Sequence, residues 1–201
     1  MKKGFKPREL TLLGLMTALL VVMSYTPLGY LNIGPLAISF NMIPVAVAAV
    51  ALGPWGGMIT GAVFGITSFL QCLGIGGISA MGVTLFEINP VLAFLQRFLP
   101  RVAFGILTGL IHRGVKKWLG SLIAGFVAGF SAAFLNTALF MLTLLLFFGG
   151  SDYIQGLMGG RNVLLFICSF VGINAVFEIL VSTLVTGALI RALEKARFVG
   201  R

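Results

Sequence analysis

The sequence predicts an all-α polytopic membrane protein: one integral membrane domain over residues 1–201, with six transmembrane helices and both termini in the cytoplasm. Three observations lead there. Charge is scarce, since 14 Lys or Arg and 5 Asp or Glu make up only 9% of the 201 residues, against about a quarter in soluble domains. Apolar residues make up 59% of the chain, with 18 Phe and 27 Gly, and the mean hydropathy is +1.09. The apolar runs lack the period-two alternation of a membrane barrel, and in hydrocarbon every backbone group needs an internal partner, so these runs become helices. Third, the basic residues are clustered: Lys2, Lys3, Lys6 and Arg8, then Arg113, Lys116 and Lys117, then Arg191, Lys195, Arg197 and Arg201. Separated by long apolar runs, the net charge of +9 is a positive-inside pattern and not a nucleic-acid footprint.

The first helix, about 9–25, follows a basic segment as a signal peptide would. No small-x-small site follows it, and the run leads into Tyr25-Thr26-Pro27-Leu28-Gly29-Tyr30, so it is expected to remain as a span. The second, about 40–52, stops at Gly53-Pro54, a turn signal; at 1.5 Å per residue it covers only about 20 Å of a hydrocarbon core of about 30 Å. The third, about 55–72, carries Gly57, Gly61 and Gly65, a spacing that lines one face with glycine and lets another helix approach closely. The fourth, about 91–111, is followed by a fifth, about 119–148, and a sixth, about 162–193. The last two exceed the membrane thickness and are expected to tilt, bend or extend into water. Cys72 and Cys168 lie in apolar stretches and read as small hydrophobes, so neither a disulfide nor a metal role is expected.

Six spans bring the three basic patches to one side, the cytoplasm. The other side receives segments 26–39, 73–90 and 149–161, whose only charges are Glu87, Asp152 and Arg161. Segment 73–90 is too apolar for solvated coil and too short to span. A folded loop closing over an outward-facing site and a passive connector both fit it.

Polar groups within the spans each need a reason, because an ionised group at mid-bilayer costs about 2.5–3.5 kcal/mol or more. Arg97 and Arg101 stand one turn apart on the fourth helix. Pro100 between them frees the carbonyl of Gln96 and predicts a kink. Asn174 and Glu178 share the same spacing on the sixth helix, Asn136 lies in the fifth, and Gln71 closes the third; Asn89 ends the preceding outer segment. Such groups can simply tie helices together, but as a set they suggest an enclosed polar pocket. Enzyme chemistry finds little support: there is no His-Glu-x-x-His, Gly-x-Ser-x-Gly or P-loop run, and the single His112 reads as a loop residue beside Arg113. A lipid-modifying membrane enzyme using Glu178, or a purely structural membrane partner, are the readings from other classes.

Several motifs carry a resemblance. These are Gly14 to Ala18 in Leu-Gly-Leu-Met-Thr-Ala-Leu, Ile-Pro within Phe-Asn-Met-Ile-Pro-Val, Leu-Gly-Pro-Trp-Gly-Gly, Gly-Ile-Thr-Ser-Phe-Leu-Gln, Leu-Asn-Thr, and Asn-x-x-x-Glu at Asn174 and Glu178. Nearly the whole chain resembles the substrate-binding S component of an energy-coupling factor (ECF) transporter. The family's first-helix step is usually alanine to alanine; glycine at the first position is sterically compatible with it. The resemblance implies a high-affinity vitamin-binding subunit in the cell membrane. It would dock through Gly14 and Ala18 onto a transmembrane coupling subunit carrying two ATPases, with no cofactor of its own. The pattern is closest to the pantothenate-type branch; riboflavin, folate, cobalamin and pyrimidine-precursor binders share its broad features. A carboxylate ligand suits the Arg97 and Arg101 pair, with Gln71, Asn89, Asn136, Asn174 and Glu178 as further candidate contacts.

The topology makes a direct prediction. A fluorescent protein fused after Arg201 should glow while a periplasmic phosphatase fused there stays inactive; the reverse pattern would remove the six-span arrangement.

Overall fold

The computed structural model describes residues 6–32 and 37–196, so Lys2, Lys3, Arg197 and Arg201 lie outside the described residues. Helix α1 spans Pro7–Ser24, opened by Pro7 in its first turn and by the Glu9 carboxylate accepting from the Lys6 backbone N–H at 2.8 Å. It buries the row Leu12, Met16, Leu20 and Ser24 and exposes Leu10, Leu15, Leu19 and Val22. Past Pro27 and Gly29 the chain forms a short antiparallel hairpin, β1 (Tyr30–Asn32) with β2 (Ala37–Ser39), Tyr30 opposite Ser39. This hairpin is an exception to the all-α expectation. Backbone groups that leave a helix still need partners, and here they pair across two strands.

Helix α2 covers Met42–Leu52, and nine of its eleven residues are buried. At about 1.5 Å per residue it is too short to cross a membrane alone. It is the axis of the larger apolar core, where Met42, Val45, Ala46 and Ala48 pack with Leu20, Phe64, Phe104, Ala128, Ala132 and Ile190. Gly53, at φ 77°, turns the chain into α3 (Pro54–Leu70), which continues as a single 3₁₀ turn, Gln71–Leu73.

The outer segments are more ordered than loops. Segment 73–90 contains α4 (Ala80–Ile88), and segment 149–161 contains α6 (Asp152–Met158). Leu85 of α4 and Ile154 of α6 join Leu144, Phe148 and Phe166 in a second buried cluster. The fourth and fifth expected helices follow each other with no loop between, two helical halves that share the label α5 (Pro90–Phe148), and the loop expected near 112–118 is helical. The break is a single residue, Gly120, at φ 76° and ψ 173°, a conformation open to glycine at little cost. Backbone dihedrals stay helical through Pro100, so the interruption of α5 belongs to Gly120 and not to the proline. The chain doubles back there: the Arg101 guanidinium lies 5.0 Å from the centroid of the Phe140 ring, pairing a residue nineteen positions before Gly120 with one twenty after. Helix α7 (Val163–Lys195) completes the fold.

Among the described residues, four helices are long and apolar enough to cross a membrane: Pro7–Ser24, Pro54–Leu73, Pro90–Phe148 and Asn174–Lys195. A fifth arises if the pair Asp152–Met158 and Val163–Gly172, bent by 80°, counts as one span.

Glycine sets the helix spacing. The row expected from the sequence packs against the first half of α5: a Cβ added at Gly57 would overlap the Gly105 carbonyl, one at Gly61 the Arg101 carbonyl, and one at Gly65 would come within 2.9 Å of the Phe98 Cα. Without a hydrophobic drive between helices in lipid, such backbone contact is what dispersion attraction requires. Gly129 plays the same part between the second half of α5 and α7, where the Ser182 hydroxyl donates to its carbonyl at 2.9 Å.

At one end of the bundle three chain segments converge. The Arg8 guanidinium donates to the Ala196 carbonyl at 3.3 Å, and the Ser121 hydroxyl donates to the Glu194 carboxylate. The start of α1, the Gly120 turn and the end of α7 therefore share that end, with Arg8, Arg113, Lys116, Lys117, Arg191 and Lys195. His112 is buried in α5 with Nε2 unpartnered; it is not the loop residue expected, because α5 extends through it.

A contrast of glycines tests this packing. Gly57→Leu should destabilise the detergent-solubilised protein by about 1–3 kcal/mol or more through overpacking, seen as a lowered thermal midpoint. Gly14→Leu combined with Ala18→Leu should leave the midpoint within about 0.5 kcal/mol of the parent, since both positions are exposed and a Cβ at Gly14 meets no atom within 4 Å.

Candidate functional site

At the end opposite the basic cluster lies a cavity of about 600 Å³, within the range that holds small organic ligands. Its walls come from the end of α1 and the residues after it, from the hairpin, from the loop between the 3₁₀ turn and α4, and from α5 and α7. Among the described residues that line it, the charged ones are Arg97, Arg101 and Glu178.

Arg97 and Arg101 point from one face of α5 into this space, both buried. Pro100 has no N–H to give the Gln96 carbonyl, and the Arg101 Nη1 donates to that carbonyl at 3.1 Å. The proline thus creates the acceptor that holds the neighbouring guanidinium. The Arg101 guanidinium also lies over Phe64 at 5.5 Å and Phe140 at 5.0 Å, while Arg97 lies over Phe140 at 5.6 Å. Aromatic faces are electronegative and stabilise a desolvated cation. Arg97 Nη2 donates to the Ser79 hydroxyl oxygen at 3.1 Å, and that oxygen also accepts from the Gly82 backbone N–H at 3.2 Å as the N-cap of α4. Gly82 leaves the room, since a Cβ there would stand 2.9 Å from Arg97 Nη2. The Nε atoms of both arginines are buried without a partner.

The loop before α4 closes over the cavity, with Gly76, Gly77, Ile78 and Ser79 lining it. Gly76 has φ 75°, and a Cβ there would overlap the Tyr25 ring, so only glycine fits against the end of α1. Segment 73–90 is thus partly helical and contributes to the cavity wall.

Glu178 is buried on α7. One carboxylate oxygen accepts from the Ser39 backbone N–H at 2.7 Å and the other from the Thr137 hydroxyl at 3.3 Å, tying β2, α5 and α7 at one point. Asn136 and Asn174 also line the cavity, and Asn136 Oδ1 is buried without a partner, as are the hydroxyls of Ser39 and Thr26. Gln71 lines it too, but its Nε2 donates to the Ser24 carbonyl at 2.8 Å, holding α1 to α3. Asn89 does not line the cavity: its Oδ1 accepts from the Val91 and Leu92 backbone N–H groups, each at 3.1 Å, and caps α5. Its place before Pro90 is an N-cap pattern.

Sequence reasoning missed Ser79, Phe64, Phe140, Tyr30 and Ser39, all of which line the cavity. The phenol of Tyr30 is pushed above its ordinary pKa by burial, with Arg101 opposing the shift. Ser79 carried a usable signal, a serine just before an apolar run. The aromatics carried none, because Phe is common along the whole chain.

The candidate docking residues lie elsewhere. Gly14 and Ala18 are on the exposed side of α1, and among the described residues no atom lies within 4 Å of a Cβ built at Gly14.

Comparison with known proteins bears on this arrangement. The model of the family described as ECF transporter, substrate-specific component, matches residues 8–190. A pantothenic acid transporter, PanT, of Lactococcus lactis subsp. cremoris (strain MG1363) is 27% identical over 212 residues, which cover 98% of each protein. A pantothenate transporter, PanT, of Leuconostoc mesenteroides subsp. mesenteroides is 28% identical over 184 residues, covering 87% of this chain and 83% of the relative.

Proposed function

The chain belongs to the family of ECF transporter substrate-specific components, and from that premise we propose that it is a membrane-embedded binding subunit for pantothenate uptake. The observation that carries the ligand is the pair of buried guanidiniums, Arg97 and Arg101, facing a cavity of about 600 Å³. A carboxylate is their natural partner, since charge-assisted bonds to guanidinium are about twice as strong as neutral ones. Pantothenate supplies that carboxylate at one end and an amide and hydroxyls along its length, which suit the unpartnered Asn136 Oδ1 and the hydroxyls of Ser39 and Thr26. The names of the two relatives point to the same vitamin.

In this reading the chain crosses the cell membrane six times, as α1, α2 with its flanks, α3, the two halves of α5, and α7. The convergence of the α1 start, the Gly120 turn and the α7 end at the basic pole supports a common cytoplasmic side. The cavity then opens toward the outside. Energy comes from a coupling subunit and two ATPases. The exposed Gly14 and Ala18 step on α1 is the docking face for that coupling subunit, because two small residues one turn apart admit another helix closely.

Binding and uptake separate the two halves of this proposal. Arg101→Gln should weaken pantothenate binding to purified protein by about ten- to a hundredfold, or about 1.5–3 kcal/mol, and should weaken the neutral alcohol analogue little. Equal losses for acid and alcohol would make the arginine structural, and tight binding of riboflavin or cobalamin with none of pantothenate would overturn the ligand. Gly14→Leu with Ala18→Leu should keep pantothenate binding and abolish ATP-driven uptake; retained uptake would remove the docking assignment.

A further inference from the structure

Pantothenate as the ligand leaves open what the cavity does with ligands of other charge, and Glu178 answers that. We infer that Glu178 sets the charge class the cavity accepts, making it selective for a singly charged anion against both neutral and doubly charged analogues. The inference rests on the pantothenate reading above and extends it to a residue that need not touch the ligand.

Two cations and one anion meet in this cavity. Arg97, Arg101 and Glu178 all line it and are all buried, and the other titratable side chains on its walls, among the described residues, are Tyr25 and Tyr30. Two guanidiniums and one carboxylate leave a net charge of +1. A carboxylate ligand brings the set to zero. A dianion leaves one negative charge in excess and a neutral ligand leaves one positive charge, and because all three protein charges are buried either imbalance is screened far less than at a surface.

Glu178 is built to act by charge and not by contact. Both of its oxygens already accept hydrogen bonds, from the Ser39 amide at 2.7 Å and the Thr137 hydroxyl at 3.3 Å, so it is anchored within the protein without any ligand. The bond to Ser39 is to the backbone, so the amide of a glutamine can replace it: its carbonyl oxygen still accepts from Ser39. Charge and anchoring are therefore separable by Glu178→Gln.

The test measures binding of three probes that differ only at the acid end, to purified protein in detergent at alkaline pH. These are pantothenate, its alcohol (pantothenol) and a phosphonate analogue carrying two charges. The parent should bind pantothenate at least about tenfold more tightly than either analogue, and Glu178→Gln should move the phosphonate-to-pantothenate affinity ratio toward phosphonate by about tenfold or more. Arg101→Gln, which lowers the cavity charge instead, should move the balance toward the alcohol. A ratio unchanged in folded Glu178→Gln protein would overturn the inference and reduce Glu178 to an anchor for the hairpin. Should that variant not fold, as shown by loss of its thermal transition, the parent still decides, because equal affinity for phosphonate and pantothenate would exclude charge selection. Absence of pantothenate binding to the parent is a different result: it overturns the ligand reading and this inference with it.

Discussion

Two arginines one turn apart inside an apolar helix bundle are the constraint from which the rest of the site follows. A guanidinium removed from water must be repaid by hydrogen bonds and by electronegative surfaces close at hand. Each partner of Arg97 and Arg101 comes from a different part of the chain: the Gln96 carbonyl released by Pro100, the Ser79 hydroxyl at the start of α4, and the rings of Phe64 on α3 and Phe140 on the returning half of α5. Bringing these partners together requires α5 to double back, α3 to lie against it, and the loop before α4 to fold inward.

Glycine makes that convergence possible. Gly57, Gly61 and Gly65 put the α3 backbone against α5 around the arginines, Gly82 clears space for Arg97, and Gly76 lets the covering loop lie on Tyr25. At Gly76 and Gly120 the need is also conformational, since both have positive φ. In a soluble protein large apolar side chains would hold the helices together. Here lipid competes equally for those side chains, so close backbone contact and buried polar bonds take over.

The fold keeps the polar cavity and the basic pole apart. The three buried charges and the partnerless Asn136 Oδ1 sit at one end, while Arg8, Arg113, Lys116, Lys117, Arg191 and Lys195 gather at the other around contacts such as Ser121 with Glu194. Between them α1 presents a strip holding Gly14 and Ala18 that is exposed among the described residues.

Composition and periodicity by themselves determined the helical class, the membrane setting, the glycine face of α3 and the same-face pairing of Arg97 with Arg101. Each follows from local rules: burial of the backbone in lipid, a period of 3.6 residues, and a spacing of four. The sequence also singled out Asn136, Asn174, Glu178 and Gln71, because a polar residue in an apolar run is conspicuous wherever it ends up. Only the tertiary structure decided that Asn89 caps a helix, that His112 is buried, that one residue at Gly120 separates two halves of a 59-residue helix, and that outer segments contain α4, α6 and a hairpin. It alone placed Ser79, Phe64 and Phe140 around the guanidiniums. Those outcomes depend on contacts between residues tens of positions apart, as between Arg101 and Phe140 or Ser39 and Glu178, and local sequence contains the chemistry of each partner but not the distance between them.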